Sequence, residues 1–83
     1  MAIGGNTKKI NALILTDSFI IRGEVTVPNT MRFSDAINKF LKNQVFIAVT
    51  NAEITLIYGG TKMEERDFIL INKDQIVAIS PND

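Results

Sequence analysis

No cysteine and no histidine occur among the 83 residues. The thiolate nucleophile, the base that titrates near neutral pH and the commonest zinc ligands are therefore missing. That excludes disulfide scaffolds, zinc-ribbon folds and hydrolases built on a Cys–His or Ser–His pair. Net charge is missing too, since nine Lys and Arg balance nine Asp and Glu. A neutral chain sets up no long-range field to gather nucleic acid, anionic lipid or acidic substrates, so any such binding must come from a local patch. No apolar run approaches the ~18 residues of a membrane-spanning helix, and the start lacks the basic, apolar and small-residue succession of a signal peptide. The reading is a soluble, cytoplasmic protein with no membrane partner.

What remains is a short chain with 46% hydrophobic residues. A domain of this size hides only about 60–65% of the surface its unfolded form exposes, so its stability is small. Its core must hold by packing alone or be extended by a partner subunit, which makes a homo-oligomer the expectation. Of the carboxylates, only Glu64, Glu65 and Asp67 cluster. They fall in a charged, solvated stretch where nothing tunes a pKa, so the chain is read as non-enzymatic, with no cofactor and no metal site.

The best-defined stretch is Phe19 to Val27. Phe19, Ile21, Gly23, Val25 and Val27 are apolar or Gly, whereas Arg22, Glu24 and Thr26 are polar, which is the period of a half-buried strand. Gly23 in its middle marks a bend or the close approach of another backbone. Pro28 stops the strand. Beyond it Phe33, Ala36, Ile37, Phe40 and Leu41 share one helical face. The spacing predicts a helix over 35–42, with Ser34 as N-cap, Asp35 against the positive end of the dipole, Lys39 and Lys42 near the other end, and Asn43 as the left-handed residue that closes it. So short a helix cannot stand alone in water and must be docked.

Val45 to Thr50 is apolar on both parities and requires cover on both faces, with the preceding helix as cover for one of them. Asn51 and Glu53 then turn polar on one parity while Ala52, Ile54 and Leu56 continue on the other, predicting a bulge or bend near Asn51. Earlier in the chain, Ile10 to Leu15 reads as a strand and Thr16-Asp17-Ser18 as a turn built by Asp and Ser side chains. Tyr58 to Arg66 reads as a solvated hairpin tip. Asp67 to Asn72 and Gln75 to Ser80, separated by Lys73-Asp74, predict a tight hairpin. The resulting division is a flexible start over 1–9 and a single domain over 10–81. Its order of strand, strand, helix, strand, strand, strand points to a mainly-β fold, a small bent antiparallel five-stranded barrel with one short helix.

Phe-Ile-Ile-Arg-Gly-Glu-Val-Thr-Val around Gly23 and the closing stretch from Phe68 to Pro81 resemble the small barrel of the Sm-like family. Ile76 to Pro81 is similar to the last strand of its bacterial host-factor members, which also runs into a Pro. The resemblance covers residues 10–81 and implies a bent sheet whose subunits close into rings by pairing the edge strand of one with the next. The chain departs from that family in placing its helix between the second and third strands. Asp35 and Asn38 fall inside this helix, so the family's RNA-contacting Asp and Asn are not carried over to them. The basic, His-containing closing hairpin of the RNA-binding members has no counterpart.

Together these observations describe a β-barrel module that self-assembles and mediates protein interactions, with Ile47, Val49, Ile69 and Ile71 at the assembly edge. The alternative is single-stranded RNA binding. It would use Arg22, Arg32, Lys39, Lys42 and Asn51 as contacts, with Phe33, Phe46 or Tyr58 as a stacking surface, although Phe33 and Phe46 also fit core positions. The helix is expected to dock through Ile37, Phe40 and Leu41, and Phe40→Ala costs roughly 3–5 kcal/mol if Phe40 is buried. Thermal melting checks this, and a near-normal melting temperature contradicts the docking.

Overall fold

The computed structural model describes residues 6–59 and 62–81, with the side chains of Lys62 and Met63 left aside. It comprises β1 (Thr7–Leu15), β2 (Phe19–Pro28), α1 (Phe33–Asn43), β3 (Phe46–Leu56), β4 (Lys62–Asn72), a 3₁₀ turn at Lys73–Gln75, and β5 (Ala78–Pro81). The element order matches the sequence reading. The five strands form one antiparallel sheet in the order β4-β3-β2-β1-β5. No ladder joins β4 to β5 among the described residues, so the sheet is open where a barrel was expected. β1 begins at Thr7, which makes Thr7, Lys8 and Lys9 paired strand opposite Pro28, Val27 and Thr26.

The sheet buries one face. Ala12 and Ile14 of β1 and Ile21, Val25 and Val27 of β2 point inward, as the alternation in β2 required. α1 lies against β2 with Ala36 and Ile37 buried and Phe33, Phe40 and Leu41 half-buried against the same core. The helix is longer than predicted. It starts at Phe33 with Arg32 in the N-cap position and no side-chain cap, so Ser34 is already in the first turn and does not cap. It also ends without a left-handed residue: Asn43 is helical, and extended Gln44 donates its N–H to the Phe40 carbonyl at 2.9 Å. A cation does the closing instead, since Lys73 Nζ donates to the Leu41 carbonyl at 2.6 Å, where the helix dipole is negative.

The turn between β1 and β2 is organised by Thr16, not by Asp17 or Ser18. The Thr16 hydroxyl oxygen accepts from the N–H groups of Phe19, at 3.0 Å, and Ser18, at 3.3 Å. The tight closing hairpin is absent. After β4, Asn72 Oδ1 accepts from the Asp74 N–H at 2.8 Å and starts the 3₁₀ turn, which carries the chain to the opposite edge of the sheet. There Val77 donates to the Leu15 carbonyl at 2.8 Å and β5 pairs with β1. The charged stretch from Glu64 to Arg66 is likewise not a loop tip, because it is strand, paired with Ile54, Glu53 and Ala52 of β3. Gly60 and Thr61, and the first five residues, lie outside the described residues.

β2 and β3 come close together at Gly23. A Cβ there would collide with Val49 Cγ1, sit 3.0 Å from the Thr50 carbonyl oxygen and lie 3.2 Å from Ala52 Cα. Opposite Gly23 the register shifts: Arg22 pairs with Glu53, but Glu24 pairs with Thr50, so β3 carries one residue more than β2. That extra residue places Asn51 in the left-handed region, at φ 50°. Inward-facing residues of β3 accordingly change parity, from Ile47 and Val49 to Ala52 and the half-buried Ile54. The bulge expected near Asn51 is therefore present. Gly23→Ala costs about 1–3 kcal/mol, since a stiff β-branched side chain and two backbone atoms must shift. Gly23→Ala combined with Val49→Ala loses less than the two single losses together, a non-additivity that a double-mutant cycle by denaturant unfolding measures.

Candidate functional site

The edge strand β4 divides into two halves. Glu64, Glu65, Arg66 and Asp67 form a charged, exposed first half, and Phe68 to Ile71 an apolar second half. In the apolar half Ile69 and Ile71 face inward, opposite Val49 and Ile47. Phe68 and Leu70 face outward, 57% and 55% exposed, beside Thr50 and Ala48, and Phe46 continues the stripe at 47% exposure. Val45, just before β3, is also exposed. The cover required on both faces of Val45 to Thr50 is thus supplied on one face only. Phe46, which fitted a core position, lies on the outside, whereas Phe33 packs against the core and Tyr58 is exposed.

Of the residues assigned to an assembly edge, Ile69 and Ile71 are on an edge strand. Ile47 and Val49 are not, because β3 is an inner strand that pairs with β4 along these residues and buries both side chains. Phe68 and Leu70 escaped notice for a simple reason. In a strand apolar on both parities, the sequence does not say which face the single helix covers.

The residues assigned to RNA are distributed over two places. Arg22 and Asn51 border one polar hollow with Asn11, Gly23, Glu24 and Glu53. Both are already engaged: Arg22 Nη1 lies 4.0 Å from Glu53 Oε1, and Asn51 Nδ2 donates to Glu24 Oε1 at 2.9 Å. Glu24 also lies 3.8 Å from Lys9 Nζ and accepts from the Thr50 hydroxyl at 3.4 Å. Arg32, Lys39 and Lys42 are exposed at or on α1, away from that hollow's lining. Phe33 lies on α1, Phe46 on β3 and Tyr58 in the turn after β3. No aromatic platform with flanking cations is assembled among the described residues.

Glu65 faces Glu53 directly across the ladder, with Asp67 close by, but no group of three or more ligand-type side chains is placed to hold an ion among the described residues. Arg66 Nη1 meets Glu64 Oε1 at 2.6 Å. No helix among the described residues is long and apolar enough to cross a membrane. Comparison of the chain with family models, curated proteins and solved structures gives no match.

The left-handed backbone at Asn51 and its bond to Glu24 give this residue a conformational role that substitution separates from any binding role. Asn51→Gly keeps the bulge at a loss below about 1 kcal/mol, whereas Asn51→Val, β-branched at positive φ, loses about 1–3 kcal/mol. Chemical denaturation of the two variants checks the order. Equal losses contradict it.

Proposed function

We propose that this protein is a non-enzymatic β-sheet module that self-assembles through β4 and, in the assembled form, mediates protein interactions. The observation that carries the reading is the apolar half of β4. Among the described residues no strand pairs with its outer backbone edge, and its outward side chains Phe68 and Leu70 continue with Phe46 into an exposed apolar stripe. A long apolar edge strand is a template for pairing with another chain, and a patch of this kind on a small protein marks an interaction surface. Charges guard only the first half of the strand, and the zero net charge of the chain provides no repulsion between copies.

The strand order favours head-to-tail contact. β4 and β5 stand at opposite edges of one sheet, so pairing β4 of one copy with β5 of the next joins two different surfaces. Such pairing closes into a ring or continues as a filament. A ring is the form that the Sm-like resemblance implies, and the bent barrel belongs to the same reading. Single-stranded RNA binding, the alternative, is supported less well, because its five residues lie in two places and two of them are held by carboxylates.

Gel filtration coupled to light scattering tests the assembly. At about 100 μM, a concentration that populates even micromolar contacts, wild-type protein elutes as a multiple of 9.2 kDa. Phe68→Asp with Leu70→Asp, two exposed positions, keeps the cooperative melt and shifts the mass to the monomer. A monomeric wild type contradicts the proposal. Nuclease-sensitive absorbance at 260 nm in the wild-type peak moves the reading to RNA.

A further inference from the structure

The inner face of the sheet is only partly roofed. An open groove of about 490 Å³ lies where the Thr16–Phe19 turn, β4 and the 3₁₀ turn meet, and no residue of α1 lines it. Its apolar surface comes from Phe19, Ile21, Ile54, Ile69, Leu70 and Ile71. Packed interiors leave few voids larger than a water molecule, and small-molecule sites run from roughly 300 to 1,000 Å³, so a hollow of this size has the dimensions of a site.

The rim decides the chemistry of the guest. Thr16 and Asn72 already use their side-chain oxygens to accept backbone N–H groups of their own turns. The remaining ionic groups are two carboxylates, Asp17 and Glu64, and no Lys or Arg lines the groove. Arg66, which meets Glu64, stands outside that lining, and Asp17 makes no ion pair or hydrogen bond among the described residues. An anionic amphiphile brought here would place its head against the unpaired Asp17 carboxylate, whereas a cationic head supplies the counter-charge that Asp17 lacks.

We propose that the groove binds a small amphiphile with an apolar body and a cationic head, the body on Phe19, Ile54 and Ile69 and the head at Asp17. The groove opens on the inner face of the sheet, whereas the free backbone edge of β4 lies in the sheet plane. The groove shares Leu70 with the outward stripe, and Phe68 of that stripe lies outside its lining.

Isothermal titration calorimetry with octyltrimethylammonium, octanoate and 1-octanol, each below its aggregation limit, tests the site. The ammonium binds saturably at one site per chain, about tenfold tighter than octanoate, an advantage of the size expected when attraction to exposed carboxylates is replaced by repulsion. Asp17→Asn leaves the thermal melt and the octanol affinity unchanged and weakens the ammonium by roughly threefold. Amide shift changes in ¹H–¹⁵N spectra fall on Phe19, Ile54 and Ile69. Absence of saturable ammonium binding, equal affinity for octanoate, unchanged affinity in Asp17→Asn, or shift changes confined to Phe46 and Phe68 overturns the proposal. Repeating the titration on Phe68→Asp alone, a position outside the groove lining, separates the groove from the assembly surface, because the ammonium affinity is the same in that variant.

Discussion

The close approach of β2 and β3 at Gly23 is the constraint on which the sheet depends. A backbone carbonyl and a Cα of β3 occupy the space that a side chain would need, and the extra residue of β3 is accommodated at the same level, in left-handed Asn51. The bulge changes the parity of β3, so that Ile47 and Val49 before it and Ala52 and Ile54 after it reach the same core. Without it, one half of the strand would present its polar side inward, because a shift of one residue reverses every side chain. Asn suits the position, since its short polar side chain tolerates positive φ and reaches Glu24 on the neighbouring strand.

Much of this was legible in the residues. Alternation along β2, the helical face from Phe33 to Leu41 and the polar interruption at Asn51 each follow from a local period, and each reappears in the fold. The misreadings have physical causes. Glu64 to Arg66 looked like loop because an edge strand running beyond the core has no apolar face to alternate. The β4–β5 connection looked like a hairpin because Asn72 and Asp74 do make a turn. Which strand β5 pairs with is decided by long-range contacts with β1 that no local signal carries. The helix cap was misplaced because no side chain caps α1, and its C-terminal carbonyl is satisfied by Lys73, distant in sequence.

The candidate surfaces follow from a mismatch between supply and demand. A single sheet whose β3 and β4 are apolar on both parities needs cover on two faces, and one short helix covers part of one. What is left is an outward stripe at Phe46, Phe68 and Leu70 beside an edge that no described strand pairs, and a groove at Phe19, Ile54 and Ile69 that Leu70 also lines. The two differ in kind. The stripe is flat, continuous with unpaired backbone and suited to another strand, whereas the groove is concave, rimmed by carboxylates and suited to a small guest. Neither was identified from single residues, because both arise from the placement of the helix over one region of the sheet.

Hydrogen exchange at β4, followed as a function of protein concentration, tests the central claim most directly. If β4 is the assembly edge, the outward-pointing amides between Phe68 and Asn72 gain protection as concentration rises, while the amides that bond to β3 keep theirs unchanged. Exchange at the outward amides that stays fast and independent of concentration would contradict the account.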